Sequence, residues 1–84
     1  MVQQSVKIAH SAEHEFEMAT MVVQKASQFR STITVVMGDK HVNAKSIMGM
    51  TYLMLVDGDE VSVTAQGEDE HEALDEVLTV LTKE

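Results

Sequence analysis

Within 84 residues the spacing of apolar side chains switches repeatedly between two and about three and a half, and that alternation constrains the fold most. MVQQSVKI places Val2, Val6 and Ile8 on one parity and Gln3, Ser5 and Lys7 on the other, which predicts a half-buried first strand. From Glu15 the period lengthens: Ala19, Val22, Val23, Ala26 and Phe29 recur at helical spacing while Gln24, Lys25 and Gln28 point elsewhere, giving helix A. TITVV and HVN then flank Met37-Gly38-Asp39-Lys40, a hairpin signal because glycine supplies positive φ at little cost.

Ser46 stands before IMGMTYLMLV, an apolar run that stops at Asp57-Gly58. A serine ahead of such a run predicts an N-cap and a short helix B leading into a buried or covered segment. EVSVTAQ alternates Val61, Val63 and Ala65 with Ser62, Thr64 and Gln66, giving strand four. After Gly67, the segment EDEHEALDEVLTVLTKE sets Ala73, Leu74, Val77, Leu78 and Leu81 on one stripe. Asp69 and Glu72 have the spacing of a capping box, and acids in the first turn with Lys83 in the last suit the dipole of helix C.

The order β-α-β-β-α-β-α predicts one domain over residues 1–84, a two-layer α+β sandwich. Four strands present their apolar sides to a layer of three helices, and the other face of the antiparallel sheet stays wet. A chain this short lies near the lower limit for one core, and it has no cysteine to staple it.

The charge narrows the partners. Fourteen Asp and Glu against six Lys and Arg give a formal net charge of -8, so direct binding of nucleic acid, which needs clustered cations, is not expected. No signal-peptide pattern and no run of about 18 apolar residues is present, so a cytoplasmic protein with no membrane contact is expected. Its partners should be proteins or small molecules, and no cofactor is expected. Seven methionines are unusual for this length, and their placement matters more than their number.

VNAKSIMGM, the helix A segment VQKASQF, and AQGEDEHEAL at the last strand-to-helix junction resemble the HPr family, phosphocarriers of the bacterial sugar phosphotransferase system, with their relative Crh. The start MVQQ is similar to Crh in particular, and the resemblance spans nearly the whole chain. It implies an open-faced β-sandwich with two phosphorylation sites, a histidine in GLHARPA before helix A and a serine in KSIMG. Only the second motif is present, at positions 45 to 49.

Matched without a gap, Glu15 stands where the family's histidine would be, Glu17 where its arginine would be and Met18 where its proline would be. Phosphohistidine transfer needs a nucleophilic imidazole beside helix amides and a cation that hold the phosphoryl oxygens. Glu15 and Glu17 supply negative charge instead. His14 is one residue early, which turns a side chain by about 100° at a helix entrance, among glutamates that repel a phosphoryl donor. The chain is therefore expected to be neither a phosphocarrier nor an enzyme. Crh-like proteins also lack the histidine, keeping a glutamine with the arginine and proline that are absent here, and they act as corepressors on a LacI-type transcription factor when the serine is phosphorylated.

Other sites weigh less. His10, His14, Glu15 and Glu17 carry metal-ligand atoms, but no histidine pair has the i, i+4 spacing of a zinc helix, so an acidic, solvated helix entrance and no metal are expected. His41 and His71 read as surface residues. Ser46 serves as a helix cap, and the resemblance adds a phosphosite that would bring about two negative charges to a helix start.

Apolar side chains beyond the stripes point to a docking surface. Phe16, Met18, Thr20 and Met21 fall off or beside the stripe of helix A, as do Met48, Thr51 and Tyr52 on helix B, while Met50, Leu53, Met54 and Leu55 also fit a core. In the fold that the resemblance implies these two regions lie side by side, so that, rimmed by Glu13, Glu15 and Glu17 and with His14 among them, they would form an apolar, acid-edged face of the kind that marks protein binding.

Departures from the family concentrate at positions 13 to 18 and 50 to 56. Two functions follow. In the first, an HPr-type scaffold has had its docking face rebuilt, as by design, to bind or inhibit an unrelated protein through a basic patch. In the second, the chain is a Crh-like catabolite-repression regulator controlled at Ser46. Either would be a monomer or weak dimer.

Overall fold

The computed structural model describes residues 1–9, 15–53 and 58–82, the first three of α1 by backbone alone. The elements run β1 (Val2–Lys7), α1 (Glu15–Ala26), β2 (Thr32–Met37), β3 (Lys40–Asn43), α2 (Ile47–Leu53), β4 (Glu60–Gln66) and α3 (Glu70–Leu81). These are the strands and helices that the hydrophobic periods predict, in the predicted order.

The four strands form one antiparallel sheet in the order β1-β4-β2-β3. Its register lines up Val63 of β4 with Val35 of β2, and Ala65 with Ile33, so one apolar face runs across the middle of the sheet. All four of these side chains are buried. Ser62, Thr64 and Thr34 alternate with them onto the open face, where Gln3 Nε2 donates to Ser62 Oγ at 2.7 Å. The β2–β3 connection is tight, with Gly38 at a φ of 63° as the hairpin demands.

The helices cover the apolar face. Ala73, Val77 and Leu81 of α3 and Val22 and Ala26 of α1 are buried in one core with the strand residues. α1 packs against α2 as well as α3, which widens its buried arc beyond the single stripe. Met18 lies in that wider arc and is only 2% exposed. The expectation that it joins a surface patch is therefore corrected: it is a core side chain. Ile8 extends the apolar parity past β1 and is buried too, its amide donating to Asp59 O at 2.7 Å.

The start of α3 also departs from expectation. Asp69 and Glu72 do not make a capping box: Glu72 is exposed, and among the described residues Asp69 gives α3 no side-chain cap. The Asp69 carboxylate instead accepts from Arg30 N–H at 2.9 Å, Ser31 N–H at 3.0 Å and the Ser31 hydroxyl at 2.5 Å. The loop ahead of β2 thus takes the acceptor that the local spacing assigns to the helix. The Ser31 hydroxyl, then the Arg30 and Ser31 amides, hold the Asp69 carboxyl below its ordinary value of 3.8.

Gly67 makes this contact sterically possible. Its φ is 154°, and a Cβ built there would lie 2.7 Å from both Cα and Oγ of Ser31. Glu70 reaches back to accept the Gly67 N–H at 3.2 Å, closing the turn. Lys83, placed by the sequence in the last turn of this helix, lies outside the described residues, as do Met54 and Leu55.

Candidate functional site: the outer face of α2

Two hydrogen bonds to Asn43 shape the approach to α2: its side-chain oxygen accepts Lys45 N–H at 2.8 Å, and its carbonyl accepts Ser46 N–H at 2.9 Å. Such Asx turns fix the chain just before a helix begins. Ser46 then caps α2 as its position predicts, its Oγ accepting Gly49 N–H at 3.1 Å while its carbonyl accepts Met50 N–H at 3.0 Å. Lys45 reaches in the other direction, donating from Nζ to the Phe29 carbonyl at 2.8 Å and tying the KSIMG turn to the chain that follows α1.

α2 is apolar on both sides. Met50 and Leu53 point inward and are 2% and 1% exposed. Gly49 lets the helix sit close to β3, since a Cβ there would meet Val42 Cβ at 3.1 Å. Outward, Met48 is 81% exposed, Tyr52 62% and Ile47 42%, and with Thr51 they line one shallow open depression. Their spacing puts Ile47 beside Thr51 and Met48 beside Tyr52 on adjacent i, i+4 rows.

No charged residue falls between Ile47 and Leu53. Lys40, the first residue of β3, approaches this face, its Nζ standing 5.2 Å from the centre of the Tyr52 ring. A cation over a ring face is attracted to it, and Tyr52 remains 62% exposed.

The structure divides the residues singled out in the sequence. Met48, Thr51 and Tyr52 come together on the outer face of α2, immediately after the Ser46 cap. Thr20 and Met21 are half-buried on α1, and Met21 packs against the core. Glu15, Phe16 and Glu17 open α1, but their side chains lie outside the described residues, as do His10, Glu13 and His14 entirely. Ile47 and Lys40 were missed. The i, i+4 relation of Ile47 to Thr51 was the available signal for the first; the second depends on the hairpin reaching α2, which no local pattern reports.

Among the described residues no group of three His, Cys, Asp or Glu side chains is arranged to hold a metal ion. No described helix is long and apolar enough to cross a membrane.

The family of the PTS HPr component phosphorylation site matches residues 2–83. This chain belongs to the HPr family. Members of the HPr/Crh family are phosphocarrier and regulatory proteins, not enzymes. The chain is 40% identical over 84 residues to the HPr-like protein Crh of Bacillus subtilis (strain 168), covering all of itself and 99% of that protein. It is 32% identical over 83 residues to the phosphocarrier protein HPr of Buchnera aphidicola, covering 99% of itself and 98% of the relative.

Solved structures agree with the fold. HPr-C-His from Thermoanaerobacter tengcongensis superposes with a TM-score of 0.90 at 36% identity, covering 96% of this chain and 91% of that one. Crh of Bacillus subtilis, whose crystal structure is described as a dimer with a swapped domain, gives 0.75 at 40% identity over 99% of this chain and 95% of that one. The open-faced sandwich expected from the sequence is therefore the fold of the family.

Proposed function

We propose that this chain is a Crh-like regulator of catabolite repression, acting by protein contact through the outer face of α2 and the entrance of α1. The observation that carries the proposal is the adjacency of Ser46 to a wholly uncharged, outward-facing apolar row, Ile47, Met48, Thr51 and Tyr52. A rigid aromatic beside a flexible thioether suits a partner surface.

Phosphorylation of Ser46 would set about two negative charges at the edge of this otherwise neutral row. The partner would then meet an apolar contact and a charge together. A LacI-type transcription factor with a basic patch fits that combination, in the cytoplasm where such factors work. The glutamates at positions 13, 15 and 17 extend the demand for a basic partner.

Identity of 40% to Crh across the whole chain favours this reading over a docking face rebuilt for an unrelated protein. Phosphotransfer is not proposed: with Glu15 at the histidine position, phosphoenolpyruvate and enzyme I are expected to put no label on the chain, and label on His14 would contradict this.

The test is a titration against a LacI-type repressor before and after treatment with HPr kinase. Phosphate on Ser46 with tightened binding supports the regulator, with Ser46→Ala abolishing the tightening. An affinity indifferent to phosphorylation overturns it. Unchanged affinity in both Phe16→Ala and Tyr52→Ala would move the interface elsewhere.

A further inference from the structure

The methionines are not equivalent. Met18 and Met50 are each 2% exposed, and Met21 and Met37 are half-buried against the core. Met48 is 81% exposed, and the other exposed methionine among the described residues, Met1, stands at the start of the chain beside Glu70. Only Met48 therefore combines, among the described residues, an open thioether with a place on the apolar face of α2.

We propose that Met48 is an oxidation site through which a hydroperoxide releases the docking face from its partner, an inference that rests on the regulator reading above. The chemistry is a two-electron oxygen transfer. The Met48 sulfur attacks one oxygen of hydrogen peroxide, an S–O bond forms as the O–O bond breaks, and the departing hydroxide takes the proton of the transferred oxygen to leave as water. Sulfur is oxidised to the sulfoxide and peroxide is reduced, so no further reagent is needed.

Selectivity comes from access. Oxygen transfer requires peroxide to reach the sulfur, and burial denies it that approach at Met18 and Met50. The consequence follows from position. A sulfoxide is polar and a strong hydrogen-bond acceptor, so at Met48 it replaces an apolar contact between Ile47 and Tyr52 with a group that must be desolvated on docking. The core is untouched, and the change is reversible by methionine sulfoxide reductase.

The experiment treats the Ser46-phosphorylated protein with dilute hydrogen peroxide, removes the oxidant with catalase, and follows each methionine by mass spectrometry with fragment sequencing. The oxidised protein is then titrated against the LacI-type repressor. Met48 is expected to gain oxygen on the order of tenfold faster than Met18 or Met50, and repressor affinity to fall by about tenfold, recovering after reductase treatment. In Met48→Leu, whatever affinity the variant has should no longer respond to peroxide.

Oxidation of Met50 as fast as Met48 overturns the inference, as does an oxidised protein that binds like the untreated one. A Met48→Leu variant that still responds to peroxide overturns it also, moving the effect to another methionine. Failure of the untreated phosphorylated protein to bind is a different result, because it removes the regulator reading and the switch with it.

Discussion

Two helix starts in this molecule use their capping residues in opposite ways. At α3, Asp69 directs its carboxylate to Arg30 and Ser31 rather than to its own helix, and Gly67 is pressed against Ser31 so closely that no side chain fits. At α2, Ser46 caps its own helix at Gly49, and the residues that follow face outward. The first start holds two distant segments together. The second is closed within its own first turn at Gly49, and its outer row and hydroxyl are the parts proposed to meet a partner and a modifying enzyme.

Substitutions can break that contrast, beginning with the largest effect. Gly67→Ala forces a Cβ into Ser31 and a non-glycine residue into a φ of 154°, so it should cost about 3 kcal/mol in urea unfolding. A loss near zero would mean the junction yields freely, and the contrast would collapse.

Acid titration probes the same junction. The Asp69 carboxyl is held below 3.8 in the folded protein, so its contribution is present above that pH and is lost as pH falls through the lower folded value. Below about pH 3.8 the native protein should therefore lose stability more steeply than Asp69→Asn, measured as the unfolding midpoint against pH.

At α2 the effects should be smaller. Ser46→Ala removes one cap and should cost about 1 kcal/mol, with Ser46→Asp restoring most of it by supplying another acceptor at the same position. Smallest of all, Met48→Ala should change stability by no more than about 0.5 kcal/mol, because the side chain is almost wholly in water. A loss of several kcal/mol there would assign Met48 to the core and remove it from the docking face.

The same contrast explains what could be read from sequence. Strand parity, helical stripes, the Gly38 turn signal and the serine ahead of an apolar run are all local, and together they located every described element. Ser46 was legible because an N-cap bonds within its own first turn. Asp69 was misread because the D-x-x-E spacing is also local, while its actual partners, Arg30 and Ser31, arrive from 39 and 38 residues away. Met18 was misread for a related reason: one apolar stripe describes a helix packed on a single neighbour, and α1 packs on α2 and α3 together. Ile47 was passed over because an unbroken apolar run looks buried throughout, whereas α2 is short enough for one row to face inward and another outward.

The proposed control by Ser46 of a contact made by the outer row of α2 can be observed residue by residue. A LacI-type repressor is added to the isotopically labelled, Ser46-phosphorylated protein and the backbone amide resonances are followed. Perturbation should centre on residues 46–52 and be much weaker without the phosphate, with little change at Thr34, Ser62 and Thr64 on the open sheet face. Perturbation centred on those sheet residues, or a pattern unaffected by phosphorylation, would contradict it.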